Sequence, residues 1–167
     1  TTPIELLSSI EGLVMAEQMS DNKQISSVSH KALLEIHLPQ DDFSQDDEIR
    51  EIFVEEATEV LESLQDNFPQ WSLQPNNIEL LKDIRRSFHT LKGSGRMVGA
   101  FASGELAWSI ENMLNRVLDN SVTVGPVMLG LITQVLENYP SLVSDFSNKQ
   151  ETVFEARPYI YVANALS

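Results

Sequence analysis

The chain has 167 residues, 42% of them hydrophobic and 22% charged, which is about one globular domain and argues against wholesale disorder or a fibrous repeat. Eleven Lys and Arg stand against 25 Asp and Glu, a formal charge of -14, so general binding to nucleic acid or to a membrane surface, which needs a positive face, is excluded. There is no cysteine; disulfides, thiolate zinc sites and cysteine nucleophiles drop out, and a reducing compartment, the cytoplasm, is expected.

The N-terminus, TTPIELLSSIEG, has no basic n-region and does not read as a secretory signal. A start without Met suggests a fragment of something larger. Apolar residues recur along the chain at spacings of three and four, which predicts helices throughout. Ile4, Leu7, Ile10, Leu13 and Val14 form one stripe over about residues 4–19, a helix that needs a partner surface. Residues 20–45 mix Ser, Gln, Asp and Asn around one apolar island from Ala32, and read as a polar linker. The acidic run Asp41, Asp42, Asp46, Asp47 and Glu48 reads as solvated chain leading into a helix N-terminus, where negative charge is favourable.

From Asp46, the residues Ile49, Ile52, Phe53, Ala57, Val60, Leu61 and Leu64 predict a helix to Asn67, broken by Pro69. Asn76 or Asn77 caps a second helix over about 77–100, with Leu81, Ile84, Phe88, Leu91 and Val98 as its stripe. Ser103 opens a third, to about Asn120, carrying Leu106, Ile110, Met113, Leu114 and Val117. A fourth follows Gly125 and Pro126 and runs past Pro140, with a kink there, toward Phe146; its apolar run from Gly125 to Leu136 is far short of the roughly 18 to 20 residues of a membrane span. Short connections favour antiparallel neighbours. The expected fold is therefore all-α: an up-down four-helix bundle over residues 46–148, with an N-terminal helix and linker in 1–45 and a helical tail in 149–167, Pro158 near its start.

One segment departs from the acidic average. Lys82, Arg85, Arg86, Lys92 and Arg96 place five of the eleven cations within fifteen positions. At roughly 100° per residue all five share a face with His89, and the apolar stripe centres about 140° away. His89 should thus stand on the solvent side of the bundle. Cations around an imidazole favour its neutral form, which leaves one ring nitrogen free to attack phosphorus. The same cations would hold phosphoryl oxygens, and Gly93, about 40° from His89, keeps the approach clear. A histidine usually has its second nitrogen fixed by a carboxylate or carbonyl. Glu111, off the stripe of the third helix, is the candidate: accepting from Nδ1–H, it would leave Nε2 as the attacking atom. His30 and His37 have no such setting, Gly95 and Gly99 fit close helix packing, and Trp108 reads as a bundle-edge residue.

The stretch His89-Thr-Leu-Lys-Gly-Ser-Gly-Arg-Met-Val-Gly-Ala, followed by Glu105-Leu-Ala-Trp-Ser-Ile-Glu-Asn-Met-Leu-Asn, resembles the histidine-containing phosphotransfer (HPt) domain. The likeness is to the form found in CheA-type chemotaxis kinases, and the Arg-Met after Gly-Ser-Gly is similar to hybrid kinases of type IV pilus chemotaxis systems. It covers residues 47–148. It implies that His89 is phosphorylated, that Lys92 assists transfer and docking, that Gly93 is the small residue beside the ring, and that Glu111 bonds the imidazole. Arg85, Arg86 and Arg96 would be partner contacts. The implied partners are a histidine kinase catalytic domain and a response-regulator receiver domain. No cofactor is expected on this chain itself, because phosphoryl transfer rests on positioning and electrostatics and the Mg²⁺ belongs to the receiver. Two positions depart from the CheA-type pattern: the Arg-Met after Gly-Ser-Gly, and Trp108, which stands where the CheA-type domain carries a second histidine, so that no imidazole is present there for a hydrogen-bond relay.

Two readings from other classes stand beside this one. A helical interaction or sensory module would carry no phosphate. An enzyme using His89 and Glu111 as an acid-base pair would need pocket-forming loops that the sequence does not offer.

Overall fold

The computed structural model describes residues 36–167. The helix expected over 4–19, His30 and most of the polar linker lie outside the described residues. Five helices follow: α1 (Asp47–Leu73), α2 (Ile78–Val98), α3 (Phe101–Leu118), α4 (Pro126–Ser147) and α5 (Arg157–Leu166). The first four form the up-down bundle, in which α2 packs between α1 and α3, and α4 closes the ring against α1 and α3. Helix α5 lies across α3 and α4 and adds Tyr159, Ile160, Val162 and Ala163 to the core. No helix among the described residues is long and apolar enough to cross a membrane.

The position of α2 follows from its ends. The Asn77 side chain accepts from the Leu80 N–H at 3.2 Å, a cap worth about 1 kcal/mol. Gly99 ends the helix at φ 87, and a Cβ there would fall 2.7 Å from the Asp42 carbonyl oxygen. Conformation and space thus both require glycine. Gly95 meets Gly104 across the α2–α3 contact, where a Cβ on Gly95 would stand 3.2 Å from the Gly104 nitrogen. Only hydrogens separate the two backbones. That close approach brings polar side chains of both helices within bonding reach further along.

Helix α1 departs from expectation at both ends. It runs through Pro69 to Leu73 rather than stopping at Asn67. A proline inside a helix costs about 3 kcal/mol. Phe68 and Trp71 continue the stripe of Leu61 and Leu64 into the core, and two aromatic burials at about 1.5–3 kcal/mol each offset that cost. At the other end Ile49 and Ile52 face solvent, and Arg50 is buried in their place. Its guanidinium donates to the Phe43 and Gln45 carbonyls and pairs with Asp47, so the buried charge is satisfied.

The stretch read as polar linker is, from Ile36, packed on the bundle. Ile36, Leu38 and Phe43 lie against the core, with the Phe43 ring 5.6 Å from that of Phe146. The Asp42 N–H donates to the Gly99 carbonyl at 2.8 Å. The Asp41 carboxylate accepts from the Ala102 N–H at 3.0 Å and so caps α3 from 61 residues away. Burial pushes the Asp41 carboxyl up, against the hydrogen bonds from Ala102 and Phe101 that pull it down. Helix α3 accordingly begins at Phe101, ahead of the expected Ser103, whose hydroxyl instead donates to the Tyr139 hydroxyl at 2.7 Å while Tyr139 donates to the Ser103 carbonyl. That reciprocal pair ties α3 to α4.

Candidate functional site

His89 stands on the outer wall of α2 with 59% of its side chain exposed, one residue past the fully buried Phe88. The stripe of Leu81, Ile84, Phe88 and Leu91 is buried, and this fixes which face of α2 turns to solvent. Gly93, one turn on, has nothing within 4 Å of where a Cβ would be. The approach to the ring is open on that side.

Glu111 reaches His89 from α3. Its side chain is only 8% exposed, and Nδ1 of His89 lies 3.0 and 3.1 Å from its two oxygens. The Lys92 ammonium, 17% exposed, donates to the same carboxylate at 3.0 Å. Burial pushes the Glu111 carboxyl up, but the hydrogen bonds and charges of His89 and Lys92 outweigh it and hold the group below its usual value. Glu111 is therefore ionised near neutral pH and acts only as acceptor. An ionised carboxylate can only accept, so Nδ1 is the donor of the pair, and Nε2 is the ring nitrogen not engaged by Glu111.

Of the residues singled out in the sequence, the structure brings His89, Lys92, Gly93 and Glu111 to one place. The cations divide. Lys92 turns inward to Glu111, Arg86 lies 3.5 Å from Asp83 on the surface, and Arg96 crosses to Glu105 on α3. Arg85 makes no ion pair among the described residues and its Nε is buried without a partner. The positive ring around His89 is thus thinner than the helical projection implies, since two of its members are neutralised by α3 carboxylates. His37 is exposed and makes no hydrogen bond or ion pair among the described residues.

Glu105 is the residue that the sequence reading misses. Its signal lies in the antiparallel register of α2 and α3, which sets Glu105 opposite Arg96 and Glu111 opposite His89, with Trp108 midway. Among the described residues no group of three or more His, Asp and Glu side chains is arranged to hold a metal ion. The arrangement offers one oriented nucleophilic nitrogen, a buried counter-charge behind it and cations beside it.

Comparison with known proteins agrees with this geometry. The family described as "Hpt domain" matches residues 48–141. Chemotaxis protein CheA of Listeria monocytogenes is 33% identical over 98 residues, which are 59% of this chain and 16% of that protein. The sensor histidine kinase CheAY of Helicobacter pylori is 27% identical over 115 residues, 65% of this chain and 14% of its own. Chemotaxis protein CheA of Borreliella burgdorferi is 25% identical over 93 residues, 56% of this chain and 11% of that relative. The chain thus spans about a sixth of the length of the first of these relatives or less. No solved structure matches it significantly.

Proposed function

We propose a function from one premise: the chain belongs to the Hpt domain family. It is a phosphotransfer module of a chemotaxis-type two-component phosphorelay. His89 takes a phosphoryl group from the catalytic domain of a histidine kinase and passes it to an aspartate of a response-regulator receiver domain, in the cytoplasm. The observation that carries this reading is the Nδ1 contact to a buried, ionised Glu111 behind an exposed ring.

The Nε2 lone pair attacks the γ-phosphorus of ATP held by the kinase. The P–N bond forms as the bond to the bridging oxygen breaks, and that electron pair leaves with ADP. The ring becomes cationic, and its Nδ1 proton remains in the bond to Glu111, whose charge stabilises it. In the second transfer an aspartate oxygen attacks the phosphorus, the P–N bond breaks and its pair returns to Nε2. Lys92, one turn from His89 on the same face, is within reach of a phosphoryl group on the ring and would exchange part of its bond to Glu111 for one to that group. Arg85, Arg86 and Arg96 serve as partner contacts. The metal and carboxylates of the acceptor site stay with the receiver.

The test is the chemistry of the linkage. Phosphoramidate, which loads histidine without a kinase, should place one phosphoryl group on the chain, labile in acid and stable in alkali, within the peptide that holds His89. A label that survives acid, or maps elsewhere, overturns the assignment. Gly93→Leu supplies a second check. Replacing a helix-interior glycine with a strong helix former should raise stability by about 0.5–1 kcal/mol in urea unfolding, while the added side chain blocks the ring and slows transfer to a receiver at least tenfold.

A further inference from the structure

A second built feature stands on the same wall. Arg96 lies two turns beyond His89, roughly 10 Å along α2. Its Nε and Nη2 both donate to Oε1 of Glu105, at 3.1 and 2.8 Å, and its guanidinium carbon lies 5.7 Å from the centre of the Trp108 ring. Gly104 makes room for the stem, since a Cβ there would fall 3.0 Å from Arg96 Cγ. Three α3 residues thus serve one α2 side chain: a glycine admits it, a carboxylate anchors it, an indole backs it. Yet Trp108 remains 42% exposed and the Arg96 side chain 41%. A stabilising core contact would not leave both in solvent.

We propose that the Arg96–Trp108 plate is the specificity-determining contact by which this module selects its receiver domain. The proposal rests on the phosphotransfer reading and names what that reading leaves open, how one acceptor is chosen. Trp and Arg are the residue types that dominate binding energy at interfaces, above all when held in place before the partner arrives. Indole has no basic nitrogen, so Trp108 takes no part in proton transfer. Glu105 balances the charge of Arg96 but takes up only its Nε and Nη2, and among the described residues Nη1 has no hydrogen-bond partner, so that edge of the guanidinium can donate to a carboxylate beside the phosphoacceptor aspartate. A diffusing acceptor must be sorted from others of the same fold, and this is where a fixed surface contact has most effect. The partner predicted is a receiver that presents an apolar side chain flanked by a carboxylate to the plate.

The experiment loads the full chain and its variants with phosphoramidate and mixes each with a panel of purified receiver domains from the same genome, following label transfer against receiver concentration. For the best acceptor, Trp108→Ala and Arg96→Gln should each raise KM at least tenfold with kcat within about twofold, and the preference over the poorer acceptors should shrink by the same factor. Trp108→Phe should keep most of the preference, and Glu105→Gln should lose part of it. An unchanged KM, a fall in kcat alone, or an equal loss toward every receiver overturns the proposal. Failure of the wild-type chain to transfer to any receiver, or transfer by His89→Gln, overturns instead the phosphotransfer reading beneath it.

Discussion

His89→Gln should abolish phosphoryl acceptance and leave the fold intact. The side chain at this position is more than half exposed and His89 is not part of the hydrophobic core, so the unfolding free energy measured in urea should change by no more than about 0.5 kcal/mol. Glutamine can still donate an amide hydrogen to Glu111, and Lys92 keeps its own bond to that carboxylate. An amide nitrogen has no available lone pair, however, so nothing remains to attack phosphorus. Intact mass after phosphoramidate treatment, together with thermal unfolding of the same sample, reads both halves of the expectation. A phosphorylated His89→Gln variant would place the acceptor elsewhere.

Glu111→Gln should slow transfer about 10- to 100-fold, the loss usual when the carboxylate that orients a functional histidine is neutralised. The amide accepts from Nδ1 but cannot offset the charge that the ring gains on phosphorylation. It can also turn its NH₂ group toward Nδ1 and favour the wrong tautomer. Stability should change with a definite sign. The folded chain holds the Glu111 carboxyl below its usual value, so its contribution is fully present above the unfolded value and is lost as pH falls through the folded one. The wild type should be more stable than the variant near neutrality, and the gap should close in urea titrations as the pH falls below the ordinary carboxylate range. A gap that widens in acid would mean that Glu111 is held protonated.

Much of this architecture is legible in the residues, and the parts that are not have a common cause. Helix α2 is readable because its cap and stripe lie within its own sequence, whereas Gly99, read as a packing glycine, is the left-handed residue that ends it. The end of α1 is misjudged because a local rule about proline outranks the stripe of Leu64, Phe68 and Trp71, which continues at spacings of four and three. The arm from Ile36 to Asp46 looks like a linker because its composition is polar, and the partner of Asp41 is an N–H far along the chain. At the site, Glu111 can be proposed from its place off the apolar stripe. The Arg96, Glu105 and Trp108 cluster exists only once the register of α2 against α3 is known. Features within one helix can be read from sequence, and features between two helices need the register.

The imidazole of His89 has one nitrogen committed to Glu111 and the other turned outward. On the proposed reading that leaves a single doorway for traffic in both directions, so the supplier of the phosphoryl group and its recipient must take turns. Whichever lingers there blocks the other. Throughput then depends on how quickly each visitor departs, and tightening the grip of either beyond a moderate strength would slow the relay it serves.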